Sequence, residues 1–142
     1  MREILFKGKR IDNGKWVEGC YAEYNGKTFI GIDISIGIDD IFEVFCTPVI
    51  RWLEVDPETL CQFTGETDKN GKRIWESDVV WLVYDGKEHI YQIVWDNSEL
   101  DFKATNGEEN YGSNFEYLLC CDEIEVIGNI FDNPELLQEE HK

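Results

Sequence analysis

Gln62-Phe63-Thr64-Gly65-Glu66-Thr67-Asp68-Lys69-Asn70-Gly71-Lys72-Arg73-Ile74-Trp75-Glu76-Ser77-Asp78-Val79-Val80 joins a strand end, an Asn-Gly turn, an aromatic anchor and the start of a new strand. Thr64 and Gly65 lie where the incoming strand ends. Asp68 and Asn70 carry short polar side chains that bond to nearby backbone, and Gly71 tolerates the positive φ that closes a tight turn. Ile74 and Trp75 then anchor the outgoing strand, and Asp78 opens the apolar run that follows.

The same punctuation recurs outward from this block. Asn13-Gly14, Asn25-Gly26, Asp85-Gly86 and Asn106-Gly107 separate β-prone segments, which predicts antiparallel hairpins. Strands are expected over Lys15–Tyr24 and Lys27–Ile32, then over Ile41–Phe45 and Val49–Val55 on either side of Pro48. A further hairpin joins Asp78–Tyr84 to Glu88–Trp95, where Ile90, Gln92 and Val94 share one face and Tyr91, Ile93 and Trp95 the other. With both faces mostly apolar, that strand is expected inside a barrel or sandwich.

Leu100–Ala104 and Phe115–Cys120 add strands around a polar loop, Asn106 to Asn114, suited to recognition rather than to core. Glu123–Phe131 is a last strand, with Gly128 permitting a bulge and Asn129 following it. Asn133 is expected to cap a short C-terminal helix, with Pro134 at its first position. The fold class is therefore all-β: small barrel-like or SH3-like antiparallel modules with a short C-terminal helix. The 142 residues suit a single domain, built as one body or as two small β lobes, about 1–60 and 61–142.

Thirty acidic residues against 13 basic ones give a formal net charge of −17, the wrong sign for an ordinary phosphate-backbone binder. No apolar run nears the roughly 20 residues that cross a bilayer, and the first residues lack an export-type stretch, so the chain is expected in the cytoplasm. Cys20, Cys46, Cys61, Cys120 and Cys121 form an odd set without disulfide-framework spacing and are expected as free, mostly buried thiols.

Three blocks resemble the YopX-like proteins of bacteriophages and prophages. They are Arg2–Lys9, then Val55–Leu60 leading through Gln62–Val80, and Glu125–Leu137. The resemblance implies a mostly β, barrel-like protein of viral origin that works inside a bacterial host and assembles into oligomers. It implies no enzyme activity. The residues that carry the signature are Thr64, Gly65, Asp68, Asn70, Gly71, Ile74, Trp75, Asp78, Gly128, Asn129, Asn133 and Pro134. Ser77 departs from the pattern, which favours a glycine before the aspartate.

Candidate chemistry is thin. Asp68, Asn70 and Gly71 look like the opening of a calcium loop, but with Gly71 as its sixth position the loop would run from Glu66 to Ser77, and serine cannot supply the bidentate acid required there. Among the cysteines only Cys120 and Cys121 are close, and strand neighbours point to opposite faces, so no zinc site is expected. A cysteine nucleophile would need His89, inside a strand, or His141, in the tail. Asp96, Glu99 and Asp101 beside Trp95 outline a sugar site but read better as a solvated rim. Trp16, Trp52, Trp75, Trp81 and Trp95 are expected in core and subunit-interface packing, since base-stacking platforms come with a positive groove.

No catalytic, cofactor or metal residue is therefore assigned. The leading expectation is a non-enzymatic accessory protein, homo-oligomeric and acting by contact with a host or phage protein. One alternative is an acidic decoy that occupies a host protein's nucleic-acid channel, with carboxylates standing in for phosphates. The other is direct nucleic-acid binding, which requires Lys7, Lys9, Arg10, Lys15 and Lys27 to gather on one face.

Overall fold

The computed structural model describes residues 3–34, 49–105, 115–117 and 121–140, which divide into two compact units, residues 3–62 and 63–142. In the first unit β1 (Phe6–Lys9), β2 (Trp16–Tyr24), β3 (Lys27–Asp33) and β4 (Ile50–Val55) lie side by side, all antiparallel. The β2–β3 connection has positive φ at both Asn25 (52°) and Gly26 (73°), the backbone a two-residue hairpin needs. After β4, a 3-10 turn over Pro57–Thr59 is capped by Asp56, whose carboxylate accepts from Glu58 N, and β5 (Cys61–Thr67) begins by pairing with β1.

β2 serves two neighbours in turn. Its first half pairs with β1 up to Gly19 opposite Phe6, and its second half pairs with β3 from Cys20 opposite Gly31. Gly19 marks the changeover, because a Cβ there would sit 2.0 Å from the Gly31 carbonyl oxygen. The unit's interior collects Thr28, Ile30, Leu53, Val55, Thr59 and Cys61, every one buried. The Thr59 hydroxyl links the 3-10 turn to β1, donating to Asp56 O (2.7 Å) and accepting from Lys9 N (2.9 Å).

In the second unit the end of β5 pairs with β6 (Arg73–Trp75). A five-stranded antiparallel sheet follows in the order β10 (Phe115–Tyr117), β9 (Asp101–Thr105), β8 (Lys87–Asp96), β7 (Asp78–Tyr84), β11 (Glu123–Asn129). Ile74, Val80, Leu82, Tyr91, Ile93, Phe102 and Ala104 form its core, with Cys121, Ile124 and Val126 packed against it. The helix α1 (Glu135–Glu140) lies against β8.

The all-β expectation holds, while the barrel does not: among the described residues β10 and β11 remain the two outer strands of an open sheet. Around β8 only Tyr91 and Ile93 are fully buried, and Trp95 is exposed, so one face of that strand meets the core rather than both. The strand at Phe6–Lys9 and the 3-10 turn go beyond the sequence reading, and the strand expected to end near Gly65 runs on to Thr67. The expected strand Ile41–Phe45, the loop Asn106 to Asn114, and Cys46 and Cys120 lie outside the described residues. No described helix is long and apolar enough to cross a membrane.

Candidate interaction surface

The signature residues of the Gln62–Val80 block become turn and bulge closures. Between Phe63 opposite Trp75 and Thr67 opposite Arg73 the β5–β6 register slips, with Gly65 at φ 91° inside the slip. There the Thr64 hydroxyl donates to Ile74 O (2.7 Å) and accepts from Glu66 N (3.2 Å). Ile74 and Trp75 are buried, and the Trp75 ring sits 5.5 Å from that of Phe63.

Asp68 is the hub of the next turn. One carboxylate oxygen accepts from Asn70 N and Lys72 N, both at 2.9 Å, and the other from Val126 N at 3.0 Å. Gly71, at φ 82°, donates to Asp68 O, while Lys69 N donates to Ile124 O, so the whole turn is fastened to β11. Burial pushes the Asp68 carboxyl up, but bonds from Val126, Lys72 and Asn70 with the nearby Lys72 charge outweigh it and hold the group below its ordinary value. A carboxylate ringed by N–H donors is the reverse of the oxygen cage a calcium ion needs.

Asp78, also buried, accepts from Trp75 N (2.8 Å) and shapes the turn whose third residue is Ser77. Ser77 takes φ 74°, the conformation in which glycine is more at ease. Its amide donates to Ile93 O and its carbonyl accepts from Ile130 N, so the strained residue clasps β8 and the end of β11.

Gly128 lies in the expected bulge of β11, and a Cβ there would sit 2.6 Å from the Asn133 side-chain oxygen. That oxygen accepts from Asn129 N (3.3 Å), so the Asn133 side chain faces back to the strand rather than capping α1. The helix runs from Glu135, and at its entry the Asn133 carbonyl accepts from Leu136 N (3.2 Å), so Asn133 meets the helix through its backbone and the strand through its side chain. The Asn129 side chain accepts from Phe131 N and Asp132 N and closes this turn itself.

The other sequence candidates are placed as follows. Asp96 accepts from Ser98 N and Glu99 N and pairs with Lys103, whose bond, ahead of the two amides, holds its carboxyl below the ordinary value. It is thereby committed to its own turn. Of the tryptophans only Trp75 is buried; Trp52 and Trp95 are exposed, and Trp16 and Trp81 are half-buried. Cys61 is buried, Cys121 half-buried and Cys20 exposed, so the expectation of buried thiols fails at Cys20.

Of the five cations Lys7, Lys9, Arg10 and Lys15 are neighbours, Lys9 lying opposite Trp16 and Arg10 N donating to Lys15 O (2.9 Å), while Arg10 and Lys27 are each engaged by a carboxylate. Lys7 and Lys9 hold their ammonium groups 4.6 and 5.4 Å from the centre of the Trp16 ring. Arg10 is clamped by the Asp12 carboxylate at 2.9 and 2.6 Å, Lys27 faces Glu54 at 4.0 Å, and Lys15 is exposed.

The sequence reading missed the outer face of the first unit's sheet. Ile50, Trp52 and Cys20 converge there over Gly31, whose missing Cβ would meet all three within 2.9 Å. By strand alternation Phe29, Ala22 and Tyr24 lie on the same face. Trp52 is 47% exposed and Tyr24 71%, and Phe29 and Ala22 are half-buried. The signal was present: Cys20, Ala22 and Tyr24 alternate along β2, but their apolar character reads as an inward face.

At the margin of this face runs a groove of about 290 Å³, between Arg10–Asp12 on one side and Arg51–Glu54 on the other. Ile11 N donates to Glu54 O (3.1 Å) and fixes one end of it.

With this geometry in place, comparison with known proteins assigns the architecture. The sequence matches the YopX protein family over residues 6–138. The chain belongs to the YopX family. A solved structure similar to it is protein EF1440 from Enterococcus faecalis, 21% identical over 96% of this chain and 99% of that chain, with a TM-score of 0.53. At that identity the likeness speaks for the fold alone. No curated protein matches the sequence. In this YopX-family chain, the residues from Phe63 to Val80 combine as a framework of turns in the second unit, while the exposed apolar cluster over Gly31 lies in the first.

Proposed function

We propose that the protein is a non-enzymatic accessory protein of phage or prophage origin that works in the cytoplasm of a bacterial host as an oligomeric protein-interaction module. The observation that carries this reading is the outer face of β2, β3 and β4, where Ile50, Trp52, Cys20 and Tyr24 present apolar surface to water. Contiguous exposed apolar surface on a small soluble domain marks a contact site, and aromatic residues dominate such contacts. Around it, Lys27 with Glu54 and the exposed Asp33 provide a polar rim.

Sedimentation velocity or light scattering over a concentration series tests the assembly. The reading expects an oligomer that Trp52→Lys with Tyr24→Lys converts to monomer without loss of secondary structure. A protein that stays monomeric at the highest attainable concentration, before any substitution, would contradict it.

The acidic-decoy reading draws on a separate observation. Residues 63–142 hold 19 acidic and six basic residues, against 11 and seven in residues 1–62, so the negative charge is concentrated in the second unit. A mimic of this kind displaces DNA from a host nucleic-acid-binding protein, and more salt weakens the displacement. Competition assays against host nucleoid proteins at two salt concentrations, with no displacement at either, would dismiss it.

A further inference from the structure

The outer edge of β4 combines open backbone with an unbalanced charge. Val49 O accepts from Ile34 N, so the backbone groups of Val49, Arg51, Leu53 and Val55 turn toward β3, and those of Ile50, Trp52 and Glu54 turn outward. Glu54 O is taken by Ile11 N, and Arg10 bridges to Val55. Beyond that point β4 is, among the described residues, the last strand of its sheet; the amides and carbonyls of Ile50 and Trp52 turn away from β3, and Trp52 lies in the wall of the groove.

An exposed strand edge is a template for another strand, and natural proteins protect edges they do not use. Here the edge carries Ile50 and Trp52 on one face and Arg51 on the other. The groove's carboxylates are already engaged, Asp12 by Arg10 and Glu54 by Lys27. Among the described residues Arg51, exposed at the groove, makes no ion pair.

We infer that the Ile50–Leu53 edge of β4 binds an extended acidic segment of another protein as an added β-strand, its carboxylate opposite Arg51 and apolar side chains over Ile50 and Trp52. This rests on the reading of the chain as an interaction module, though not on its oligomeric state. A second copy of β4 suits the edge poorly. Antiparallel pairing of the two open edges about Arg51 would set two guanidinium groups opposite each other, and like charges directly opposite are destabilising. An alternating apolar-acidic-apolar segment meets both the charge and the pleat. The open backbone lies in the plane of the sheet, so the edge stays available when the sheet's outer face is covered by another copy.

The test uses the intact protein labelled with ¹⁵N and the peptide acetyl-Thr-Val-Glu-Val-Glu-Val-Thr-amide, with a Lys-for-Glu counterpart and the oligonucleotide dT10 as comparators, all in 0.15 M salt to screen the protein's overall charge. Titration is expected to shift the amide resonances of Ile50 and Trp52, with the Glu peptide preferred over the Lys peptide. Arg51→Glu should weaken the Glu peptide about tenfold and reverse the preference, as expected for one desolvated charge contact. Ile50→Pro removes an outward N–H without touching the ladder to β3 and should abolish binding.

Equal binding of the two peptides, an Arg51→Glu variant with unaltered preference, no shift at Ile50 and Trp52 at millimolar peptide, or stronger binding of dT10 would each overturn the inference. Peptide binding by a monomer would refute only the oligomer, and an oligomer that ignores the peptide would refute only the edge.

Discussion

Asp68 is the residue whose replacement tests the structural account most directly. The residue is 7% exposed, and its carboxylate accepts three backbone N–H bonds, two within its own turn and one from Val126 across to β11. Asp68→Ala removes all three acceptors. Asn70 and Lys72 are exposed, so water replaces part of what their amides lose, whereas the Val126 amide lies in the sheet. At about 1–3 kcal/mol for each buried donor left unsatisfied, the expected cost is about 2–4 kcal/mol. Asp68→Asn keeps one oxygen for the turn and sets an NH₂ group against the Val126 donor, for about 1–3 kcal/mol.

The folded carboxyl is held below its ordinary value, so its contribution is complete above the unfolded value near 3.9 and disappears as pH falls through the folded one. The gap between wild type and Asp68→Asn should therefore be full at pH 7 and narrow only below about pH 4. Urea unfolding followed by tryptophan fluorescence and far-UV circular dichroism measures it. An Asp68→Asn protein within about 0.5 kcal/mol of wild type at pH 7, or a gap unchanged in strong acid, would refute the reasoning.

The glycines give further outcomes. Gly19→Ala forces a Cβ onto the Gly31 carbonyl, which is backbone and cannot step aside, so urea unfolding should show a loss of about 3 kcal/mol or more. Gly31→Ala meets only the ends of Ile50, Trp52 and Cys20, and should cost about 1 kcal/mol while altering Trp52 fluorescence. Gly128→Ala collides with the Asn133 side chain and should lose about 1–3 kcal/mol, part of it recovered in Gly128→Ala with Asn133→Gly, a coupling that a double-mutant cycle reads directly. At Ser77, glycine relieves about 1 kcal/mol of strain but adds about 0.4–1 kcal/mol of unfolded-chain entropy. Ser77→Gly should thus leave the thermal midpoint unchanged or slightly raised, whereas Ser77→Val should lower it.

What could be read from the sequence was local chemistry. Asn25-Gly26 and Asp85-Gly86 announced two hairpins because only such pairs accept positive φ at both central positions, and both show it. The alternation of β8 was legible too, but not that its second face would be only half covered, because coverage depends on α1 and on sheet closure. Asn133 has an N-cap residue type; a contact four residues back, to Asn129 N, won its side chain instead. The apolar face of the first unit was hidden for a related reason. β2 changes partners after Gly19, from β1 to β3, and no periodicity in its own residues records which of its faces then lies outward.

Signature and surface divide along the same line. Thr64, Asp68, Asp78, Asn129 and Asn133 spend their polar atoms on backbone within the second unit, where each replaces a ladder bond that a turn or bulge has broken. Such residues are demanding in type because a buried amide needs an acceptor at one position and distance. A contact surface is less demanding, since Trp52 or Ile50 could give way to another large apolar residue and still fill the same space. Residues that identify the family therefore report how its turns are closed. Residues that would choose a partner, Arg51 and Trp52 foremost, sit where the fold itself constrains them least.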